Sequence, residues 1–353
     1  MDEKNRFEQR LQHLPPEIWT KVAQIDAMKG QWLAGVRLAP QVLERLKQSV
    51  LVTSTGASTR IEGAQLTNED IERLLRGIDI QKFADRDKQE VRGYFELLAN
   101  IFNSYSLLKF SENLIKHFHQ EMLKYVEKDR FHRGEYKKQE NKVQMIDSVG
   151  KSIGVLFDTT PAYLTPKEMF ELVNWTQKSL IQKKYHPLLV VGNFLVEFLQ
   201  IHPFADGNGR LSRLLTNFFL LKEGYLYLPY ISHEKLIEDN KADYYLALRK
   251  SQKTFKTKAE DITSWLDFFL SIFLKQSKMA LELLLKETIE KVLSHKQLLV
   301  WQYLQKVEIA SPGQMAKKTK VARSTINQVL NKLLRLRRIE RIGEGRSTRY
   351  RKI

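Results

Sequence analysis

The stretch from His202 to Arg213, HPFADGNGRLSR, gathers an imidazole, a carboxylate, two glycines, an amide and two guanidinium groups into twelve positions. Its flanks decide the fold. Upstream, Leu188, Leu189, Val191, Phe194, Leu195, Phe198, Leu199 and Ile201 recur at helical spacing, so His202 falls at a helix C-terminus that Pro203 helps to close. Downstream, Leu211, Leu214, Leu215, Phe218, Phe219 and Leu221 restart the same period, with Gly224 as a stop signal. Two apolar helices joined by a short polar bend are predicted, with residues 207–210 as the loop that enters the second.

The bend carries parts for handling a phosphate. A helix N-terminus offers unpaired N–H groups and a partial positive charge, and Gly207 and Gly209 let the backbone close around an anion. Arg210 and Arg213, three apart, share a helix face and can reach the same anion. Asp206 is an acceptor-only oxygen ligand suited to Mg²⁺ bridging phosphates. His202, across the loop, can take a proton from a hydroxyl at neutral pH.

This stretch resembles the signature of Fic domains, HxFx(D/E)GNGRxxR, at every specified position. The resemblance implies a mainly α fold: a Fic helical core with a β-hairpin flap. It also implies an AMP transferase that moves AMP from ATP to a Ser, Thr or Tyr hydroxyl of a target protein. Carried over, it makes His202 the general base, Asp206 the Mg²⁺ ligand, and Gly207, Asn208, Gly209, Arg210 and Arg213 the phosphate anchors. A homodimer is a further expectation, since Fic proteins of this layout are often dimers.

Working outward, Leu51 to Gly63 reads LVTSTGASTRIEG, with Ser58 and Glu62 four apart on a helix face and Gly63 as C-cap. Glu62 then occupies a helix C-terminus, where the macrodipole disfavours a negative charge and a cation is needed to offset it. The segment resembles the inhibitory motif (S/T)xxxE(G/N) of one class of Fic proteins. That resemblance implies that Glu62 pairs with Arg213 and excludes the productive pose of the ATP γ-phosphate. Thr67 to Asp70 opens the next helix as a capping box with Asp in place of the usual Glu.

Between Arg133 and Pro166 the pattern changes. KVQMI (142–146) alternates, SIGVLF (152–157) follows, and DSVGK between them is rich in turn residues. This is the best hairpin before the signature and matches the Fic flap in position. Its edge would bind a target peptide by strand addition, and it puts Val155, Leu156 and Phe157 near the nucleotide. After the signature, DYYLALRKSQ (243–252) resembles the family's adenosine-side helix, with Tyr244 and Gln252 in the pocket-lining places. His117 and His119, two apart on a helix, do not make a metal pair.

Residues 1–105 read as a helical region that includes the inhibitory helix at about 51–63; Trp19, Val22, Ile25 and Met28 are taken as its first apolar face. Residues 106–276 form the catalytic core. Residues 290–353 form a C-terminal module of three helices and a basic hairpin, resembling a winged helix-turn-helix. From Lys291 to Lys352 there are 16 Lys or Arg against Glu308, Glu340 and Glu344, a surplus of 16 − 3 = +13 within a net charge of +17. Arg323, Ser324, Thr325, Asn327 and Gln328 fall on the early turns of a recognition helix suited to a DNA major groove, and Arg346, Arg349 and Arg351 suit phosphates.

The chain has no cysteine, which excludes disulfides, thiolate catalysis and Cys-based zinc sites. MDEKNRFEQR lacks the apolar core of a signal peptide, and no apolar run approaches the roughly 18 residues of a bilayer span. A cytoplasmic protein with no membrane partner is expected. Two alternatives stand beside the AMP transferase: a DNA-binding regulator whose Fic core senses nucleotide, and a Fic enzyme with another donor or with de-AMPylating activity.

Overall fold

In the computed structural model the described residues are 5–35, 40–77, 85–146, 152–257, 259–336, 338–343, 345 and 348–352. The chain divides into two compact units, Met1–Leu281 and Glu282–Ile353. The first is helical, with α1 (Arg6–Gln9), α2 (Pro16–Gly35), α3 (Pro40–Ile61), α4 (Asn68–Leu75), α5 (Asp85–Ser104) and α6 (Glu112–Met122). A hairpin of β1 (Lys142–Ile146) and β2 (Ser152–Asp158) follows. Then come α7 (Thr165–Gln182), α8 (Pro187–Ile201), α9 (Asn208–Lys222), α10 (His233–Asp239), α11 (Lys241–Gln252) and α12 (Thr263–Val292), the last of which runs on past Leu281.

The centre is α8, in which every residue from Leu188 to Ile201 is buried. A helix apolar on all sides must be wrapped by others, and α7, α9 and α11 pack against it. Phe194 of α8 meets Phe219 of α9 edge-on at 5.0 Å, with Phe110 tilted against Phe219 at 4.6 Å. The turn between α8 and α9 is thereby held by rigid walls, which is what a site needs.

One expectation is corrected in detail. The buried face of α2 is Ile18, Val22, Ile25 and Trp32, whereas Trp19 is 45% exposed. Steps of three residues drift around a helix of 3.6 residues per turn, so the 19-22-25-28 series leaves the core face. The apolar residues from 263 to 292 make one continuous helix, α12. The Thr67 capping box forms as read, with Asp70 N–H on Thr67 Oγ1 and Thr67 N–H on the Asp70 carboxylate.

In the hairpin, Lys142 pairs with Asp158, Val143 with Phe157 and Gln144 with Val155, antiparallel, with a register shift between Val143 and Gln144 that leaves Leu156 unpaired. The turn DSVGK lies outside the described residues.

The second unit contains α13 (His295–Leu304), β3 (Ile309–Ala310), α14 (Pro312–Thr319), α15 (Arg323–Arg335), β4 (Ile339–Ile342) and β5 (Arg349–Lys352). Val300, Trp301, Met315, Ile326, Val329, Leu330, Leu333 and Tyr350 make its core. Its sheet has the order β3-β5-β4, so the basic hairpin gains a third strand. Two residues are too few for a periodic signal, and β3 was not legible in the sequence. Among the described residues no helix is long and apolar enough to cross a membrane.

Candidate active site

Three short arcs of chain build the site, and α8 ends at its first. His202 caps the helix in the left-handed region (φ 52, ψ 58), with its N–H on the Phe198 carbonyl at 2.9 Å. The following Pro203 disfavours the helical conformation for His202. A non-glycine residue held left-handed costs on the order of 1 kcal/mol, and here the strain aims the imidazole out of the helix. His202 Nδ1 donates to the Leu199 carbonyl at 3.3 Å, a pairing that leaves Nε2 with its lone pair. Burial pushes the imidazole down to about 4, opposed by the Leu199 carbonyl and reinforced by the charge of Lys137. The ring is therefore a neutral acceptor at physiological pH.

The second arc is the bend. Asn208 closes it: its Oδ1 accepts from Phe204 N–H at 3.0 Å and its Nδ2 donates to the Phe204 carbonyl at 2.8 Å. The Asn208 amide is thus spent on the loop, and only its backbone N–H is left for a ligand. Helix α9 starts at Asn208, so Asn208, Gly209 and Arg210 lie in its first turn and not in a loop before it. Their N–H groups are those a helix start leaves free. Gly207 is favoured by its φ of +79, and a Cβ there would also push on the Met122 methyl at 2.7 Å.

The third arc is the end of α3. Gly63 adopts φ +107, its N–H on the Arg60 carbonyl and the Ala64 N–H on the Thr59 carbonyl, a Schellman closure that leaves Glu62 at the cap. From there Glu62 Oε1 reaches Arg213 Nη2 at 2.7 Å. Ser58 takes two further bonds of that guanidinium, Oγ from Nε at 2.8 Å and its carbonyl from Nη2 at 2.9 Å. Arg213 is 2% exposed, and the Glu62 charge outweighs burial to hold its pKa above the usual value. A Cβ on Gly209 would overlap the Glu62 carboxylate, so that carboxylate lies against the helix start.

Glu62, His202, Asp206, Gly207, Asn208, Gly209 and Tyr244 line one cavity of about 140 Å³, together with Tyr245 and Leu248. Tyr244 also lines a smaller cavity, and Arg213 lines that one alone. Arg210 and Gln252 line neither. Arg210 turns instead to Glu90 and to Asp206, the latter at 3.1 Å. Gln252 is buried with both amide atoms unpartnered among the described residues. For Val155, Leu156 and Phe157 only the backbone belongs to the described structure.

Several residues to which the sequence reading gave no role shape this site. Arg86 of α5 bridges Asp206 Oδ2 at 2.7 Å, Glu90 at 2.9 Å and Asp129 at 3.3 Å. Carboxylate oxygens of Glu90, Asp129 and Asp206 lie within 4.8 Å of one another. Burial pushes the Asp206 carboxyl up, but Arg210, the Gly207 N–H and Arg86 outweigh it and hold it below the ordinary range. His119 is fully buried, stacked on Phe204 at 3.9 Å. Its Nδ1 accepts from Gly134 N–H, which puts its proton on Nε2, and Nε2 donates to the Asp206 carbonyl at 3.0 Å. A signal for it was available: His119 falls on the face of Ile115, Phe118 and Met122, while His117 is exposed.

Comparison with known proteins finds the following likenesses. Residues 109–220 match the model of the Fic/DOC family. A probable protein adenylyltransferase of Aquifex aeolicus is 27% identical over 211 residues, covering 56% of each chain. A Fido domain-containing protein of Dictyostelium discoideum is 38% identical over 71 residues, 18% of this chain and 47% of that one. The chain thus spans about half the length of these curated relatives. A Fic family protein of Desulfovibrio desulfuricans, known from its crystal structure, shares 25% identity and a TM-score of 0.61 over 97% of both chains. Over residues 109–220 the chain is therefore similar to the Fic/DOC family.

Proposed function

We propose that this protein transfers AMP from ATP to a Ser, Thr or Tyr hydroxyl of a target protein, and that Glu62 holds it in a resting state. One observation carries the reading: a neutral imidazole with an open Nε2 shares a cavity with the N–H groups of a helix start, and a carboxylate from another helix lies against those groups. Arg213 Nη1 is buried without a partner among the described residues and lies by Gly209, as a donor kept for an anion would.

The chain's own residues act as follows. The first-turn N–H groups of α9 and Arg213 hold the phosphates and offset the charge that develops on departing pyrophosphate. His202 Nε2 accepts the proton of the target hydroxyl. That oxygen bonds to the α-phosphorus as the bond to the β-phosphate oxygen breaks, and pyrophosphate leaves. The β1–β2 hairpin presents the acceptor chain by strand addition.

The Asp206 side chain, with Glu90 and Asp129 beside it, offers hard oxygen donors that already share a cation, Arg86. Asp206 would hold Mg²⁺, which when bound neutralises donor phosphate charge.

The test uses ATP labelled on either the α- or the γ-phosphate, incubated with the protein and cell lysate. Label from the α position should enter protein and label from the γ position should not, with excess UTP failing to compete. Incorporation of γ label, or competition by UTP, would overturn the choice of AMP as the group moved.

A second reading concerns the C-terminal unit and has its own observation. On α15, Arg323, Ser324, Asn327 and Gln328 are exposed while Ile326, Val329, Leu330 and Leu333 are buried, so the polar face of the first turns is open. We propose that this unit is a winged helix that lays this face in a DNA major groove. Of the basic residues after it, Arg351 is paired with Glu340, Arg349 is exposed and Arg346 lies outside the described residues. Duplex DNA should be retained at about 50 mM salt and released steeply as salt rises, as counterion release requires. Retention unaffected by Arg323→Ala would exclude α15 as the contact.

A further inference from the structure

A buried ammonium lies beneath the bend, and the transfer chemistry does not use it. Lys137 is 5% exposed, and its Nζ donates to Asn141 Oδ1 at 2.8 Å, to Thr159 Oγ1 at 2.9 Å and to the Ile201 carbonyl at 3.0 Å. All three protons of the ammonium are spent, each on a neutral oxygen. Among the described residues no carboxylate lies within ion-pair distance. Burial pushes the group down to about 8, with Glu140 and Glu168 opposing from farther away. A cation buried without a counter-ion costs stability, so its presence calls for another role.

The positions of its partners supply one. Asn141 directly precedes β1, Thr159 directly follows β2, and Ile201 is the last residue of α8. The same knot continues through neighbouring bonds. Lys137 N–H donates to the Pro203 carbonyl at 2.8 Å, Asn141 Nδ2 to the Phe204 carbonyl at 3.0 Å, and Thr160 N–H to the Gln200 carbonyl at 3.3 Å. Thr159 Oγ1 in turn donates to the Asn141 carbonyl at 2.8 Å. Both ends of the hairpin are thus pinned to carbonyls from Gln200 to Phe204, which bracket His202.

We propose that Lys137 is a positioning residue that sets the His202 imidazole and the hairpin carrying the acceptor chain in one register. This rests on the reading of His202 as the base. One side chain then fixes both the group that takes the proton and the strand that delivers the hydroxyl. The groups that act on the His202 ring come from separate arcs: Lys137 opposes its protonation, while Glu62 from the end of α3 and Asp206 from the bend favour it.

The experiment uses the full chain carrying Glu62→Gly, with α-labelled ATP and lysate proteins as acceptors. Lys137→Met should lower labelling by about 100-fold, the scale of a misplacement near 1 Å, while affinity for a non-hydrolysable ATP analogue stays within about twofold. Lys137→Arg keeps a charged multi-donor head and should restore most of the rate. In Lys137→Met the His202 imidazole, followed by NMR, should titrate at higher pH than in the parent, a change that a general loosening far from the ring would not give.

Where Lys137→Met does not fold, Asn141→Ala leaves the lysine and cuts its links to β1 and to Phe204, and labelling should fall by about tenfold. Parental labelling in folded Lys137→Met, or in Asn141→Ala, overturns the inference. His202→Ala run alongside separates the two claims: if it labels normally, the base assignment fails. If it is silent while Lys137→Met is fully active, only the role of Lys137 fails.

Discussion

Replacing His202 by alanine is expected to lower transfer of α-labelled AMP by about 10²- to 10⁴-fold, the usual weight of a positioned general base. Nucleotide affinity should hardly change, because the phosphate contacts come from the start of α9 and Arg213 and not from the imidazole. The pH profile sharpens the claim. Burial holds the ring neutral down to about 4, so the base form is fully present above that pH and is lost only as pH falls through it. Between pH 5 and 7.5 transfer should therefore show no inflection from His202, whereas an unburied imidazole would titrate near 6.5. A bend near 6.5 that vanishes in His202→Ala would mean that the ring is solvated, contrary to its place in the cavity. Undiminished labelling by His202→Ala would remove the residue from the chemistry altogether.

Legibility in the sequence tracks distance along the chain. The bend could be read because its parts are contiguous: helical periodicity on both flanks puts His202 at a C-terminus and Gly207 in a turn, although α9 begins early enough to take in Gly209. Its limits were local too. Arg210 reads as a phosphate anchor beside Arg213, but the fold brings Glu90 of α5 to it, and that partner takes its guanidinium. Asn208 reads as an anchor, but its own loop uses its amide. Contacts across long separations had no local signature. Arg86 reaches Asp206 over 120 positions, His119 over 87, and Lys137 reaches Ile201 over 64. The pairing of Glu62 with Arg213, 151 positions apart, came only through resemblance, although the helix dipole already asked for a cation near Glu62.

Removing that pairing should move activity and stability in opposite directions. Glu62 sits at the C-terminal cap of α3, where the macrodipole opposes its charge, and it stays because Arg213 offsets it at 2.7 Å. Its carboxylate meanwhile lies against Gly209, on the N–H groups that a phosphate would use. In Glu62→Gly those groups and Arg213 become available together, and self-labelling should rise by about 5- to 150-fold, the range that a coupling of about 1–3 kcal/mol spans. The same change leaves Arg213 buried without its counter-ion, still bonded to Ser58. Since the Glu62 side chain is 35% exposed, the loss of stability should be about 1–2 kcal/mol, below that for a fully buried pair. ATP should then stabilise the variant by about 2.7 kcal/mol at a hundredfold excess over Kd, and the parent by less, because in the parent it must first displace the carboxylate. Glu62→Gln separates charge from bulk: its amide oxygen can still accept from Arg213, so labelling should rise less than in Glu62→Gly. A Glu62→Gly protein that binds ATP no better than the parent and labels no faster would show that the carboxylate is a passive partner of Arg213 and not a plug.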